Sequence, residues 1–305
     1  MIDPNDSGVN TFEEHRDRLF GIAYRMTGSV ADAEDICQDA WLRWSAVGHG
    51  AIDNRTVDNP EAYLVSITTR LCIDRMGTAA KRRETYVGPY LPEPLVSRPA
   101  VAGSTPGPQP EHAAELADSL TLAFLILLDQ LGPAERAAFL LHDVFGYPFD
   151  EVAAAIDRSP DATRQLASRA RRRIDADRKD YRRGLTDENQ SVITLLLTAI
   201  SAGDVEATMA LLAPDIVQLD DGGALVRAGR RPIIGPHRVA RLWVNLAKRI
   251  RAGQTMDITE VNGLPGLVFS DSSGPFMVVE IAIGPDGLVH RLNAQLNPDK
   301  LAHLR

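Results

Sequence analysis

Cysteine is nearly absent from this chain: among 305 residues only Cys37 and Cys72 carry thiols. Two thiols exclude a disulfide framework, and each lies in an apolar helical stretch where a free thiol behaves as a small hydrophobe. No apolar run approaches the roughly 18–20 residues that cross a bilayer. The stretch from Met1 to Asn10 is polar and acidic, so neither a membrane span nor a secretory signal is expected and the chain is assigned to the cytoplasm. The seven histidines lack the three- or four-residue spacing of helical metal ligands, and no metal or cofactor is expected. Positive charge is not in excess either, with 33 Lys and Arg against 41 Asp and Glu and a net charge of −8. A uniformly basic coat for nucleic acid is thereby excluded.

What is present is modular. The length and a 44% hydrophobic fraction point to two or three domains with real cores. The basic residues are clustered: Arg164, Arg169, Arg171, Arg172, Arg173, Arg178, Lys179, Arg182 and Arg183 form one group, and Arg70, Arg75, Lys81, Arg82 and Arg83 a second. Acids gather elsewhere, notably at Asp32, Glu34, Asp35 and Asp39.

Residues 11 to 84 read as all helix. Thr11 with Glu14 forms a capping-box pattern, opening a helix that turns Phe12, Leu19, Phe20, Ala23 and Tyr24 toward a core. Ser29 is placed to cap a second helix. Its apolar stripe is Val30, Ala33, Ile36, Cys37, Ala40, Trp41 and Trp44, while Asp32, Asp35, Gln38 and Asp39 share another face. Asn59 and Pro60 start a third helix carrying Leu64, Ile67, Leu71 and Met76. The loop before it, with Asn54 and Arg55, is rich enough in glycine to accept an extruded base beside the basic end of that helix. Seven prolines between residues 85 and 110 mark a linker. At roughly 3.1 Å per residue its reach is roughly 80 Å, about two turns of duplex.

Helical periodicity resumes at Glu111, restarts after Gly132-Pro133 and stops at Gly146. Phe149–Ile156, the turn Asp157-Arg158-Ser159 and a helix from Pro160 to about Asp175 make a helix-turn-helix pattern. Ala153 and Ala154 allow close helix approach, Ser159 caps, and Pro160 suits a first turn. Ala162, Leu166, Ala170 and Ile174 are expected to face inward. Arg164, Gln165, Ser168, Arg169, Arg171 and Arg172 then offer donors of the kinds that read base edges and hold phosphates. From Ser191 the pattern becomes α+β: helices at Val192–Ala202, Val205–Leu212 and Gly235–Arg251, a strand pair around Asp221-Gly222-Gly223, and strands near 255–261, 267–270, 276–283 and 288–296 joined by Gly-Pro-Asp turns.

Two long motifs carry a family resemblance. The run from Tyr24 to Trp44 followed by Asn59 to Leu64 resembles region two of the extracytoplasmic-function sigma factors. Leu131 to Leu140 with the helix-turn-helix resembles their region four. The resemblance implies a promoter-recognising protein that is not an enzyme, whose partners are core RNA polymerase and promoter DNA. Asp32, Asp35, Gln38 and Asp39 would dock on polymerase. Asn54, Arg55, Arg70, Arg75, Lys81, Arg82 and Arg83 would serve the minus-ten element, and the arginine-rich helix the minus-thirty-five element. The remainder is similar to the subgroup with a fused SnoaL-like domain, on three landmarks: Tyr90-Leu91-Pro92-Glu93-Pro94, Asp221-Gly222-Gly223 and Asn297-Pro298-Asp299-Lys300-Leu301. Tyr90 stands where that subgroup usually has Trp, and Ala224-Leu225 where it has Gly-Lys.

The expected architecture is multidomain: two all-α sigma domains (1–84 and 111–183) joined by a linker (85–110), then an α+β SnoaL-like cone fold (188–305) with a curved antiparallel sheet that contacts the sigma modules as a regulator. Two other readings stay open: a helix-turn-helix regulator independent of polymerase, and a tail that binds a small ligand or catalyses isomerisation through Asp215, Asp220, Asp257 or His290.

Overall fold

The computed structural model describes residues 4–48, 57, 59–97, 120–177 and 179–305. They form two compact units, Met1–Glu84 with Leu127–Arg178, and Thr85–Ile126 with Lys179–Arg305. Among the described residues no helix is long and apolar enough to cross a membrane.

The first unit is helical. Helix α1 (Pro4–Thr27) starts earlier than the capping pattern predicted, so Thr11 and Glu14 lie within it and Pro4 takes the first-turn position that tolerates a missing N–H. Helices α2 (Val30–Gly48) and α3 (Pro60–Glu84) begin as expected: Asp32 N–H donates to Ser29 Oγ at 3.1 Å, and Ala62 N–H to Asn59 Oδ1 at 3.1 Å. Leu19, Ile22, Tyr24 and Met26 of α1 are fully enclosed with Ala33 and Ala40 of α2 and Leu64 of α3. Both cysteines are buried there, and burial pushes the Cys37 thiol up to about 11, which removes the thiolate that redox chemistry needs.

Helix α4 (Leu122–Leu128) carries the division between units, and α5 (Pro133–Phe139) runs into a π-helical turn, Leu140–Val144. Helix α6 (Phe149–Ile156) ends at Asp157, which adopts φ 54°, and Ser159 Oγ then accepts from Ala162 N–H at 3.3 Å to open α7 (Pro160–Asp177). The buried face of α7 is Thr163, Ala167, Ala170 and Ile174, with Ala162 and Leu166 only half-buried. A strict four-residue repeat drifts around a helix of 3.6 residues per turn, and the alternating four-three spacing keeps to one face.

The second unit holds a six-stranded sheet in the order β2-β1-β6-β5-β4-β3, formed by β1 (Leu212–Asp221), β2 (Ile233–Ile234), β3 (Thr255–Val261), β4 (Leu264–Asp271), β5 (Gly274–Ile283) and β6 (Val289–Gln295). The sheet is mixed rather than antiparallel throughout, because β6 returns beside β1 in the same direction. The glycine motif ends β1 and opens a loop, not a tight strand pair. Hairpin β3–β4 turns on Asn262-Gly263, both at positive φ, and the Gly-Pro-Asp sequence serves only β5–β6. Helices α8 (Asp187–Ala202), α9 (Val205–Ala210) and α10 (Pro236–Ala247) complete the unit; α9 stops before Leu212, which instead begins β1.

Alternation along the strands divides the sheet's two faces. Leu267, Val279, Ile281 and Leu292 pack with Ile193 and Leu196 of α8 and Trp243 of α10. The opposite face carries Val261, Val268 and Val278, covered by Leu301, Leu304 and Val96.

Candidate nucleic-acid interface and linker clamp

On α7 the outward positions Arg164, Gln165, Ser168, Arg169, Arg171 and Arg172 are all exposed, as the register requires. Their partners separate them. Arg169 Nε donates to Glu135 Oε1 at 3.1 Å and Arg173 Nη1 to Glu135 Oε2 at 3.0 Å, while Arg171 Nε donates to Asp143 Oδ1 at 3.0 Å. These arginines tie α7 to α5 and the π-helical turn. Arg164 pairs with Asp161 one turn back, 2.6 Å away, in an exposed ion pair worth little in water. Gln165 and Ser168 face solvent with Arg172, whose Nε reaches only the Ser168 carbonyl at 3.3 Å.

On α2, Asp35, Gln38 and Asp39 are exposed and Asp32 is half-buried. Arg75 of α3 bridges two of these acids, with Nη1 to Asp32 Oδ1 at 3.0 Å and Nη2 to Asp35 Oδ2 at 3.3 Å. Arg70 lies against α6: its Nη2 donates to Ala154 O at 2.9 Å and its Nε to Ala155 O at 3.2 Å, satisfying carbonyls that a helix end leaves open. Asn54 and Arg55 lie outside the described residues, as do the side chains of Lys81, Arg82 and Arg83.

Further contacts join α1 and α3 to the helix-turn-helix segment. Tyr147 Oη donates to Glu61 Oε1 at 2.8 Å, and Arg18 bonds the same carboxylate. Burial raises the Glu61 carboxyl, but the bonds from Tyr147 and Arg18 outweigh it and the net shift is downward. Arg136, 2% exposed, sends Nη1 to Met26 O at 2.6 Å and Nη2 to Asp129 at 2.7 Å.

In the second unit the three landmark motifs meet. Asp221 is fully buried; its Oδ2 accepts from Lys300 Nζ at 2.7 Å and from Leu91 N–H at 2.8 Å, and its Oδ1 from Tyr86 Oη and from Gly223 N–H at 3.1 Å. Lys300 also donates to Leu91 O at 2.6 Å, with its ammonium 3.3 Å from the Tyr90 ring centre. Tyrosine thus supplies the cation–π face at the position where the subgroup usually carries tryptophan. Asn297 Nδ2 donates to Tyr86 Oη at 2.8 Å, and Gln295 Nε2 reaches the Leu91 and Pro92 carbonyls at 3.3 Å each. Gly223 sits at φ 56°, and a Cβ there would meet Asn297 Nδ2 at 2.7 Å, so both its backbone and its surroundings require glycine. Burial and the bond to Asp221 both raise the Tyr86 phenol.

The linker is therefore not a free spacer over its described part. Val96 bridges to Val261, Ser97 N–H bonds Glu260 O at 2.9 Å, and Asn262 accepts from Leu95 N–H at 2.9 Å while donating to Leu120 O at 2.8 Å. Beyond it, Glu280 is fully buried on the outer face, accepting from Leu122 N–H at 2.7 Å and Asn293 Nδ2 at 2.8 Å. Burial pushes its carboxyl up to about 7. Sequence reasoning missed Tyr86, Asn262, Glu280 and Gln295. Glu280, a lone acid in the apolar run Phe276–Ile283, carried a visible signal.

The proposed tail acids do not form one site. Asp215 is exposed and paired with Lys179 at 2.9 Å and His290 at 3.6 Å. Asp257 lies on β3, separated from β1 by three strands, and Asp220 is held by Gln218 Nε2 at 2.7 Å.

Residues 11–82 match the family described as Sigma-70 region 2, and residues 122–174 that described as Sigma-70, region 4. The ECF RNA polymerase sigma factor SigJ of Mycobacterium tuberculosis is 35% identical over 302 residues, covering 96% of this chain and 92% of that protein. This chain belongs to the extracytoplasmic-function sigma factors. The probable ECF RNA polymerase sigma factor SigI of the same species is 31% identical, covering 90% of this chain and 92% of its own. The crystal structure of M. tuberculosis SigJ superposes with a TM-score of 0.72 at 31% identity, covering 97% of this chain and all of that one. As a sigma factor the protein binds core RNA polymerase and recognises promoter DNA, and its C-terminal part has the α+β architecture expected from the sequence.

Proposed function

We propose that this sigma factor divides its labour as follows. Asp35, Gln38 and Asp39 of α2 form the polymerase-docking face, with half-buried Asp32 and Arg75 holding its shape. The exposed Gln165, Ser168 and Arg172 of α7 read the minus-thirty-five element, while Arg169 and Arg171 brace the helix and Arg164 reaches phosphate. Helix α3 with Asn54, Arg55, Lys81, Arg82 and Arg83 serves the minus-ten element. The modules are 1–84 and 111–183, joined by 85–110 and followed by 188–305. The observation that carries the DNA assignment is the coincidence of a capped, left-handed turn at Asp157–Ser159 with an outward row of base-reading donors on α7.

The tail acts as a clamp on the linker. Asp221, Lys300, Gln295 and Asn297 bind residues 86–92, while Asn262 and Glu280 bind residues 95 and 120–122. In the same state α3 packs on α6 through Arg70, and α6 is the partner helix of α7, so the promoter-reading helices α3 and α7 are held within one unit. Minus-ten and minus-thirty-five elements lie more than two helical turns apart, at roughly 34–36 Å per turn. This state is therefore closed, and productive promoter binding requires α3 and α6 to part. The tail works as a regulator in the cytoplasm, where polymerase is, without catalysis: Asp215 pairs with His290 at the surface, Asp257 is separated from β1 by three strands and Asp220 is held by Gln218.

The test is transcription by purified core polymerase on a cognate promoter. Full-length protein is expected to give a specific transcript, and Asp221→Asn or Lys300→Met to change its yield several-fold. No specific transcript from any of these proteins would refute the sigma assignment. A helix-turn-helix regulator that never touches polymerase would tolerate charge reversal at Asp35 and Asp39.

A further inference from the structure

A cavity of about 680 Å³ lies where β1 ends, lined by Asp220, by Val87 and Gly88 of the linker, and by the loop from Gly222 to Arg230. It is distinct from the space between the sheet and helices α8 and α10, which Ile193, Leu196, Trp243 and their neighbours fill. Its volume falls in the range of roughly 300–1,000 Å³ typical of small-molecule sites. Of the eight large apolar side chains that this unit leaves exposed among the described residues, three, Val87, Leu225 and Val226, line this cavity.

The polar groups set the ligand's charge. Arg227 and Arg230 line the same cavity, and neither has a hydrogen-bond or ion-pair partner among the described residues. Asp220 is the acid that lines the same cavity. Its Oδ1 is taken by Gln218, which Trp243 Nε1 holds in turn at 2.8 Å, and burial raises its carboxyl toward the neutral form. The cavity wall therefore supplies two cations that no side chain among the described residues neutralises, while its acid is engaged by Gln218 and by the Gly229 N–H. The walls also continue the clamp, since Tyr86 precedes Val87 and Asp221 precedes Gly222.

We propose that this cavity binds a small amphipathic carboxylate, with its apolar body on Val87, Leu225 and Val226 and its acid group between Arg227 and Arg230. The occupant braces linker residues 87–88 against the loop and so strengthens the clamp. The bracing rests on the clamp reading given above; the binding does not.

The experiment uses the full chain with anilinonaphthalene sulfonate as reporter and decanoate as probe. The reporter is expected to saturate at one site per chain and to be displaced by decanoate but not by decyltrimethylammonium. The double substitution Arg227→Ala with Arg230→Ala is expected to weaken decanoate at least tenfold, and Val226→Asp to do the same, with unchanged circular dichroism. Non-saturable binding, equal displacement by the cation, or undiminished affinity in the double variant each overturns the site. Amide exchange at Leu91 reads the coupling: decanoate is expected to slow it in the wild type and not in the double variant. Binding without that slowing overturns the bracing. Asp221→Asn should speed Leu91 exchange with or without decanoate, and if it does not, the clamp fails while decanoate binding stands on its own.

Discussion

Lys300 is 7% exposed, and its ammonium holds the buried Asp221 carboxylate together with the Leu91 carbonyl. Removing one member of such a pair leaves an uncompensated buried charge, at a cost of about 3–5 kcal/mol. Lys300→Met is therefore expected to lower the urea midpoint of the full chain clearly, and the double variant with Asp221→Asn to recover part of the loss. Glu280 adds a pH dependence. Burial lifts its carboxyl to about 7 from an ordinary 4.5, so the folded state binds the proton more tightly than the unfolded one. Its contribution is fully favourable below about pH 4.5 and is lost as pH rises through about 7, a change on the order of 3 kcal/mol. Urea titrations at pH 5 and pH 8 are expected to show this loss, and Glu280→Gln to flatten it. Neither residue's role was visible in isolation. Lys300 and Asp221 were readable as landmark residues, but their meeting depends on a sheet that brings the ends of β1 and β6 together.

Helix α7 was read from sequence to within two residues of its observed bounds. Its cap, its start at Pro160 and its exposed donors followed from local chemistry; Ala170 and Ile174 face inward as expected, but Thr163 and Ala167 replace Ala162 and Leu166, because a strict four-residue repeat drifts around a helix of 3.6 residues per turn. Replacing Gln165 with Ala is expected to cost about 1–3 kcal/mol of discrimination at one promoter position. Arg164→Ala should weaken binding evenly across sequences, with a shallower salt dependence. Competition binding on a set of minus-thirty-five variants at two salt concentrations separates the two outcomes. On α2, reversing both Asp35 and Asp39 to Arg is expected to reduce affinity for core polymerase at least tenfold while leaving the melting temperature nearly unchanged, since both side chains are exposed. Strands β3 to β6 were located within a few residues, but most of β1 was missed and the strand order was not legible, because parallel β1–β6 pairing is set by how the chain returns across the sheet rather than by any strand's own pattern.

At the scale of the whole molecule, the chain passes between its two units three times, at 84/85, 126/127 and 178/179. Linker and tail share one unit, and the promoter-reading helices share the other. If the state is closed in solution, dyes on Arg43→Cys and Asp175→Cys should move apart by more than 20 Å when core polymerase and promoter are added, on the order of the two-turn spacing of the elements. An unchanged transfer efficiency in a transcribing complex would disprove the closed state. The native thiols are buried and will not compete for label.

The sequence by itself determined most of the helices, the caps at Ser29, Asn59 and Ser159, the helix-turn-helix and the family, because these depend on neighbours within a few residues and on long motifs. Only the tertiary structure decided which charges are spent: Arg75 on Asp32 and Asp35, Arg70 on the end of α6, Arg169 and Arg171 on Glu135 and Asp143. It also bound the described part of the proline-rich stretch, residues 85–97, along the tail domain. The reason is physical. A charged or extended segment has no preferred partner in its own sequence, and the partner is fixed only when distant elements fold against it.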